Sequence, residues 1–139
     1  MIVYLDASIV LRVVLRDKPA LAAWGRWESA YASELLGVEA RRTVERLRLT
    51  AVLDDAAVGA AIATLARVER GIQHVALSRA VLRRASLPMG TVVKTLDTLH
   101  LASALLLRER HRIELIFATH DQQQAAAAQA LGFECIGVE

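Results

Sequence analysis

Cysteine is nearly absent. Cys135 stands alone among 139 residues, so no internal disulfide can form, and its apolar surroundings mark it as a packed thiol. Long hydrophobic runs are missing too. Hydrophobic residues make up 55% of the chain, yet the richest stretch, Leu101 to Leu107, contains Ser103 and falls well short of the roughly 18 residues that read as a membrane span. No membrane association is expected. Met1 leads directly into Ile2-Val3-Tyr4-Leu5 with no basic region and no small-residue cleavage site, so a cytoplasmic location is expected. Lysine is scarce: Lys18 and Lys94 are the only two among 17 basic residues, leaving 15 arginines. The planar arginine fork matches phosphate and permits a nucleic-acid partner, although arginine with abundant alanine equally fits a GC-rich genome and solvated helix faces. No repeat, linker or low-complexity tail interrupts the chain, and its length suits one compact domain over 1–139.

What is present alternates between strand-like and helix-like segments. Ile2 to Leu5 reads as a strand, followed by Asp6 and an amphipathic helix from Ser8 to Arg16. Pro19 is expected to open a second helix carrying Trp24 and Trp27 on one face, as core or interface. Tyr31-Ala32 is a short strand, and Ser33 caps a helix from Glu34 to about Leu49. Asp54 and Asp55 open a helix ending near Gly71, Ile72 to Leu77 is a strand, and Ser78 caps a basic helix stopping before Pro88. Met89 to Val93 is a loop. A helix from Leu96 to about His111 leads to a buried strand, Ile113 to Ala118. After Thr119-His120-Asp121 comes an alanine-rich helix, 122 to 131, with Gly132 as its C′ residue, and then a last strand, Phe133 to Val138. This order predicts an α/β fold, a mostly parallel sheet covered on both faces.

In such a sheet, ligands bind outside the carboxyl ends of the strands. Asp6 and Asp121 follow strands and face that rim, where each taken alone could simply cap a helix. Glu39 lies near the inward stripe of its helix, where a carboxylate needs a partner; Arg42, one turn on, is a candidate ion pair. Asp97 shares a face with Leu101 and Ala104 at a helix start, where the dipole also welcomes an acid. Four converging carboxylates repel one another and raise their own pKa values unless a cation holds them ionised. Hard divalent ions, Mg²⁺ or Mn²⁺, take such oxygen ligands. His74, His100, His111 and His120 lack a zinc-ligand spacing with Cys135 and read as surface or hydrogen-bonded histidines.

The segments Val3-Tyr4-Leu5-Asp6-Ala7-Ser8, Ser33 to Arg42, Leu96 to Ala104 and Phe117-Ala118-Thr119-His120-Asp121 together resemble the PIN-domain nucleases, specifically the VapC-type toxins of bacterial toxin–antitoxin pairs. The resemblance implies a three-layer α/β/α sandwich, Mg²⁺- or Mn²⁺-dependent RNA cleavage, a homodimer and a small cognate antitoxin. It assigns Asp6, Glu39, Asp97 and Asp121 to the acidic quartet, and Ser8 and Thr119 to accessory hydroxyls that hold metal-bound water. Arg12, Arg42 and Lys94 are candidate phosphate contacts by proximity to the quartet. One departure is that Gln122-Gln123-Gln124 stands where such proteins often carry basic residues, so no RNA contact is expected there.

Three rival readings remain. An aspartate-nucleophile phosphatase needs a second Asp two positions after the first, and Asp6 is followed by Ala7-Ser8. A phospho-accepting signalling domain needs an early acidic pair, which is missing. A non-catalytic protein-binding domain of PIN-like fold would use the acids as caps and ion pairs, with Trp24 and Trp27 as its interface.

Overall fold

The computed structural model describes residues 1–138. Its elements are β1 (Ile2–Leu5), α1 (Ala7–Leu15), β2 (Ser29–Ser33), α2 (Leu35–Leu49), α3 (Asp55–Arg70), β3 (Gln73–Val75), α4 (Arg79–Ala85), α5 (Thr95–His111), β4 (Leu115–Ala118), α6 (Gln122–Ala130) and β5 (Glu134–Ile136). All pairings in the five-stranded sheet are parallel, in the order β3-β2-β1-β4-β5. Helices cover both faces, giving the expected three-layer α/β/α sandwich.

The period-two alternation of strand side chains divides the core. Val3 and Leu5 of β1 and Ala118 of β4 pack with α1, α2 and α3 on one face. Tyr4 of β1 and Leu115 and Phe117 of β4 pack with α4, α5 and α6 on the other. Tyr4 and Phe117 are paired in register and stack with ring centroids 5.3 Å apart, and Phe117 lies a further 5.8 Å from Phe133. Deleting an aromatic ring from such a core costs roughly 3–5 kcal/mol. The two helical layers follow from handedness. The chain steps outward from β1 to β3, then returns to β4 on the other side of β1, and right-handed crossovers running in opposite directions place their helices on opposite faces. The switch point therefore lies between β1 and β4, where Leu5 pairs with Ala118.

Caps set where the helices begin. Asp54 accepts from Ala57 N at 2.8 Å and Ser78 from Val81 N at 3.2 Å, while at α2 the cap position falls to Glu34 rather than the expected Ser33, whose Oγ accepts from Leu35 N at 3.1 Å. The expected helix from Pro19 through Trp27 does not form. Only two isolated turn bonds occur, Trp24 N to Leu21 O and Arg26 N to Ala23 O, and Gly25 at φ 76° breaks any continuation. The two tryptophans pack edge to face, 5.2 Å apart, against the α1–α3 side of the core. At the sheet edge the expected strand from Ile72 to Leu77 shortens to Gln73–Val75, which has a partner on one side only.

Candidate functional site

The cleft at the switch point is built on Asp6 and Thr119, the residues immediately after β1 and β4. Asp6 N donates to Ala118 O at 3.0 Å, holding the two strand ends together. The Asp6 side chain is buried, and its two oxygens differ. Oδ2 accepts from Ser8 Oγ at 2.6 Å, Ser8 N at 3.2 Å and Thr119 Oγ1 at 3.1 Å. The Gln124 carboxamide, itself buried, turns its nitrogen to the same place, 3.0 Å from Oδ2, 3.2 Å from Oδ1 and 2.9 Å from Thr119 Oγ1. That orientation follows from charge, since a carbonyl oxygen facing a carboxylate would be repelled. Oδ1 is left with only the long Gln124 contact and His100 Nε2 at 3.9 Å. Oδ2 is thus the more tightly bound of the two oxygens.

Glu39, on α2, is half-buried and meets a partner from α5. Its Oε1 accepts from His100 Nε2 at 2.5 Å. The His100 ring is wholly buried, and its Nδ1 lies 2.9 Å from the Tyr4 hydroxyl, which in turn accepts from Ser33 N at 3.1 Å. With a carboxylate at Nε2, that nitrogen carries a proton. Burial holds the Tyr4 phenol far above its usual pKa, against a backbone bond from Ser33 that pulls the other way, so it stays a proton donor. For His100, burial alone would lower the pKa. The bond to Glu39 and the charges of Asp6, Glu39 and Asp97 outweigh burial and raise it. The ion pair that helical spacing offered between Glu39 and Arg42 does not occur; His100 occupies that place.

Asp97 sits in the first turn of α5, partly buried. Its carboxyl pKa is raised, first by burial and then by the charges of Asp6, Asp121 and Glu39, with His100 opposing. Asp121 lies at the exposed rim and caps α6, accepting from Gln124 N at 3.0 Å, and its own N–H is held by Thr119 Oγ1 at 3.0 Å.

The donor set is carboxylate oxygen throughout, which suits a hard divalent cation. Chemically the residues fit Mg²⁺ or Mn²⁺. Among the described residues, however, no group of three or more His, Cys, Asp or Glu side chains is arranged to hold a metal ion. Glu39 Oε1 is turned to His100 and Asp6 Oδ2 to its donors.

The remaining sequence-selected residues are placed as follows. Ser8 and Thr119 lie 3.3 Å apart, and both donate their hydroxyl protons to Asp6 Oδ2, where the resemblance assigns them to metal-bound water. Arg12 donates to Pro19 O at 3.5 Å. Arg42 and Lys94 are exposed, and neither is ion-paired with one of the four acids among the described residues. Three residues in the cleft were not singled out by sequence: Tyr4, His100 and Gln124. The only sequence signal for His100 is its position three after Asp97, on the same helical face.

Fold and site together define an α/β protein with acidic residues placed around the switch point of a parallel sheet. No family model and no curated protein matches the chain. No helix is long and apolar enough to cross a membrane among the described residues.

Proposed function

We propose that this protein is a Mg²⁺- or Mn²⁺-dependent endoribonuclease of the PIN-domain kind that its sequence resembles, hydrolysing RNA phosphodiester bonds as the toxin of a toxin–antitoxin pair. The reading includes a homodimer and a small cognate antitoxin. The observation that carries it is the geometry at the β1/β4 switch point, where His100, three residues after Asp97 on α5, bonds to Glu39 of α2 and stands 3.9 Å from Asp6 at the end of β1, with Asp121 beyond the end of the adjacent β4. An α/β fold alone would not select this chemistry.

In this mechanism Asp6, Glu39 and Asp97 would hold the principal ion, directly or through water, and Asp121 would support it or a second ion. A bound divalent ion supplies an acidified water for in-line attack and neutralises charge on the phosphate and leaving oxygen. Gln124, Ser8 and Thr119 orient Asp6. Arg12, Arg42 and Lys94 are the candidate phosphate contacts, with Arg42 and Lys94 free of ion pairs to the acids. No covalent enzyme intermediate is required. The test is cleavage of total cellular RNA by purified protein with Mg²⁺, with EDTA, and as Asp6→Asn. Cutting that needs Mg²⁺ and disappears in the variant is expected; undiminished cutting by the variant would sink the mechanism.

One observation favours a non-catalytic, protein-binding reading: Asp6 and Asp121 both cap helices. It leaves Glu39 and Asp97 without a cap role, because Glu34 and Lys94 occupy the cap positions of α2 and α5. Calorimetry with Mn²⁺ on wild type and Asp97→Asn separates the two readings.

A further inference from the structure

An imidazole with no solvent exposure is costly to bury unless both nitrogens are satisfied. His100 meets that demand with groups from two other elements, the Tyr4 hydroxyl on β1 and the Glu39 carboxylate on α2, 96 and 61 residues away in sequence. The anchor behind it is firm. Tyr4 is wholly buried, stacked on Phe117, and its hydroxyl is pinned by Ser33 N, the last residue of β2. The sequence Ser33 N–H, Tyr4 hydroxyl, His100 ring, Glu39 Oε1 is thus a continuous hydrogen-bonded line from the sheet backbone to a carboxylate at the cleft.

Helical geometry alone would leave Glu39 free to swing, since its carboxylate stands at the end of a three-torsion side chain and is only half-buried. The bond to His100 removes that freedom and occupies one oxygen. Among the described residues no hydrogen bond reaches Oε2. The same nitrogen stands 3.9 Å from Asp6 Oδ1, so the imidazole also fixes the approach of the two acids to each other.

We infer that His100 is a positioning residue: anchored on Tyr4, it holds Glu39 through Oε1 so that Oε2 is the oxygen offered to a divalent cation. This rests on the metal-dependent reading above. Outer partners that orient a ligand matter measurably, their loss typically weakening metal affinity on the order of 10–100-fold.

The test uses the full-length wild-type chain with His100→Leu, His100→Gln, Tyr4→Phe and Glu39→Gln. Imidazole N–H resonances are recorded without metal, Mn²⁺ binding is measured by calorimetry, and folding is followed by circular dichroism. The wild type is expected to show an imidazole N–H proton far downfield of the backbone amides, lost in His100→Leu and displaced in Glu39→Gln. Mn²⁺ affinity is expected to fall on the order of 10–100-fold in folded His100→Leu, less in Tyr4→Phe, and to recover in part in His100→Gln, whose amide can replace the Nε2 donor. If His100→Leu does not fold, His100→Gln and Tyr4→Phe carry the comparison. Wild-type affinity in every folded His100 and Tyr4 variant, or the absence of the downfield proton, overturns the positioning role alone. No Mn²⁺ binding by the wild type overturns the metal reading and the positioning role with it.

Discussion

Gly137 presses its backbone against the carbonyl of Thr119, so closely that a Cβ at position 137 would lie 2.4 Å from Thr119 O and 3.1 Å from Ile9 Cδ1. Its φ of +100° is one that side-chain-bearing residues rarely adopt, and its carbonyl lies 2.7 Å from His120 Nδ1. The turn that delivers Thr119 and Asp121 to the cleft is therefore backed by a residue that must be glycine. Gly137→Ala is expected to destabilise the protein by about 1–3 kcal/mol, read as a lowered urea midpoint. An unchanged midpoint would show that the turn relaxes freely.

Asp97 makes an opposite prediction. Its raised pKa means that the folded protein binds this proton more tightly than the unfolded chain does, so without metal stability increases as pH falls through the folded pKa. At neutral pH, Asp97→Asn is expected to raise the metal-free Tm while abolishing the stabilisation that Mn²⁺ confers. A lower Tm in the variant would mean that the acid is held by attraction rather than repulsion.

On the metal-dependent reading proposed above, proton and cation compete for the Asp97 carboxylate. Mn²⁺ affinity is expected to rise with pH until Asp97 is ionised and then to level off. Calorimetry across that range checks it; an affinity flat in pH would remove Asp97 from the ligands.

Arg41 grips Glu69 with both guanidinium nitrogens, at 2.6 and 3.0 Å, tying α2 to α3. The bond from Arg41 lowers the Glu69 pKa below the usual range, so this contribution is complete above the unfolded value and is lost as pH falls through the folded one. With the arginine nearly half exposed, Arg41→Met is expected to cost about 0.2–1 kcal/mol at neutral pH, and less in acid. Equal losses at both pH values in denaturant titrations would rule out the ion pair as the cause.

Cys135, on β5 and facing Ala125 of α6, is half-buried, and burial pushes its thiol pKa up to about 11. Alkylation by iodoacetamide near pH 8 is expected to be slow in the folded protein and fast in urea, followed by mass. Rapid labelling of the folded chain would show an exposed thiolate.

Much of the architecture was legible locally. The β1 and β4 runs, the Asp54 and Ser78 caps and the alanine-rich α6 each carry their signal within a few residues. The Trp24–Trp27 segment misled because its three-residue spacing has the helical period, while Gly25 between the tryptophans decides the backbone. At the site, chain position alone marks Asp6 and Asp121 as strand-end acids. The partner of Glu39 is different in kind. Arg42 is its neighbour along one helix, whereas His100 comes from another layer of the sandwich, and no local spacing encodes that approach. Gln124 was hidden in a run of three identical residues; which one turns inward depends on how α6 docks.

The cleft also has a timing. Asp6 and Thr119 are bonded across 113 positions, and the four acids come from both ends of the chain and two helices between. A nascent chain that ends after α2 lacks the second wall, because the strand that holds it comes later in the sequence. Any chemistry here waits for β4 to insert beside β1, which makes the site a report on completed folding rather than a property of any fragment.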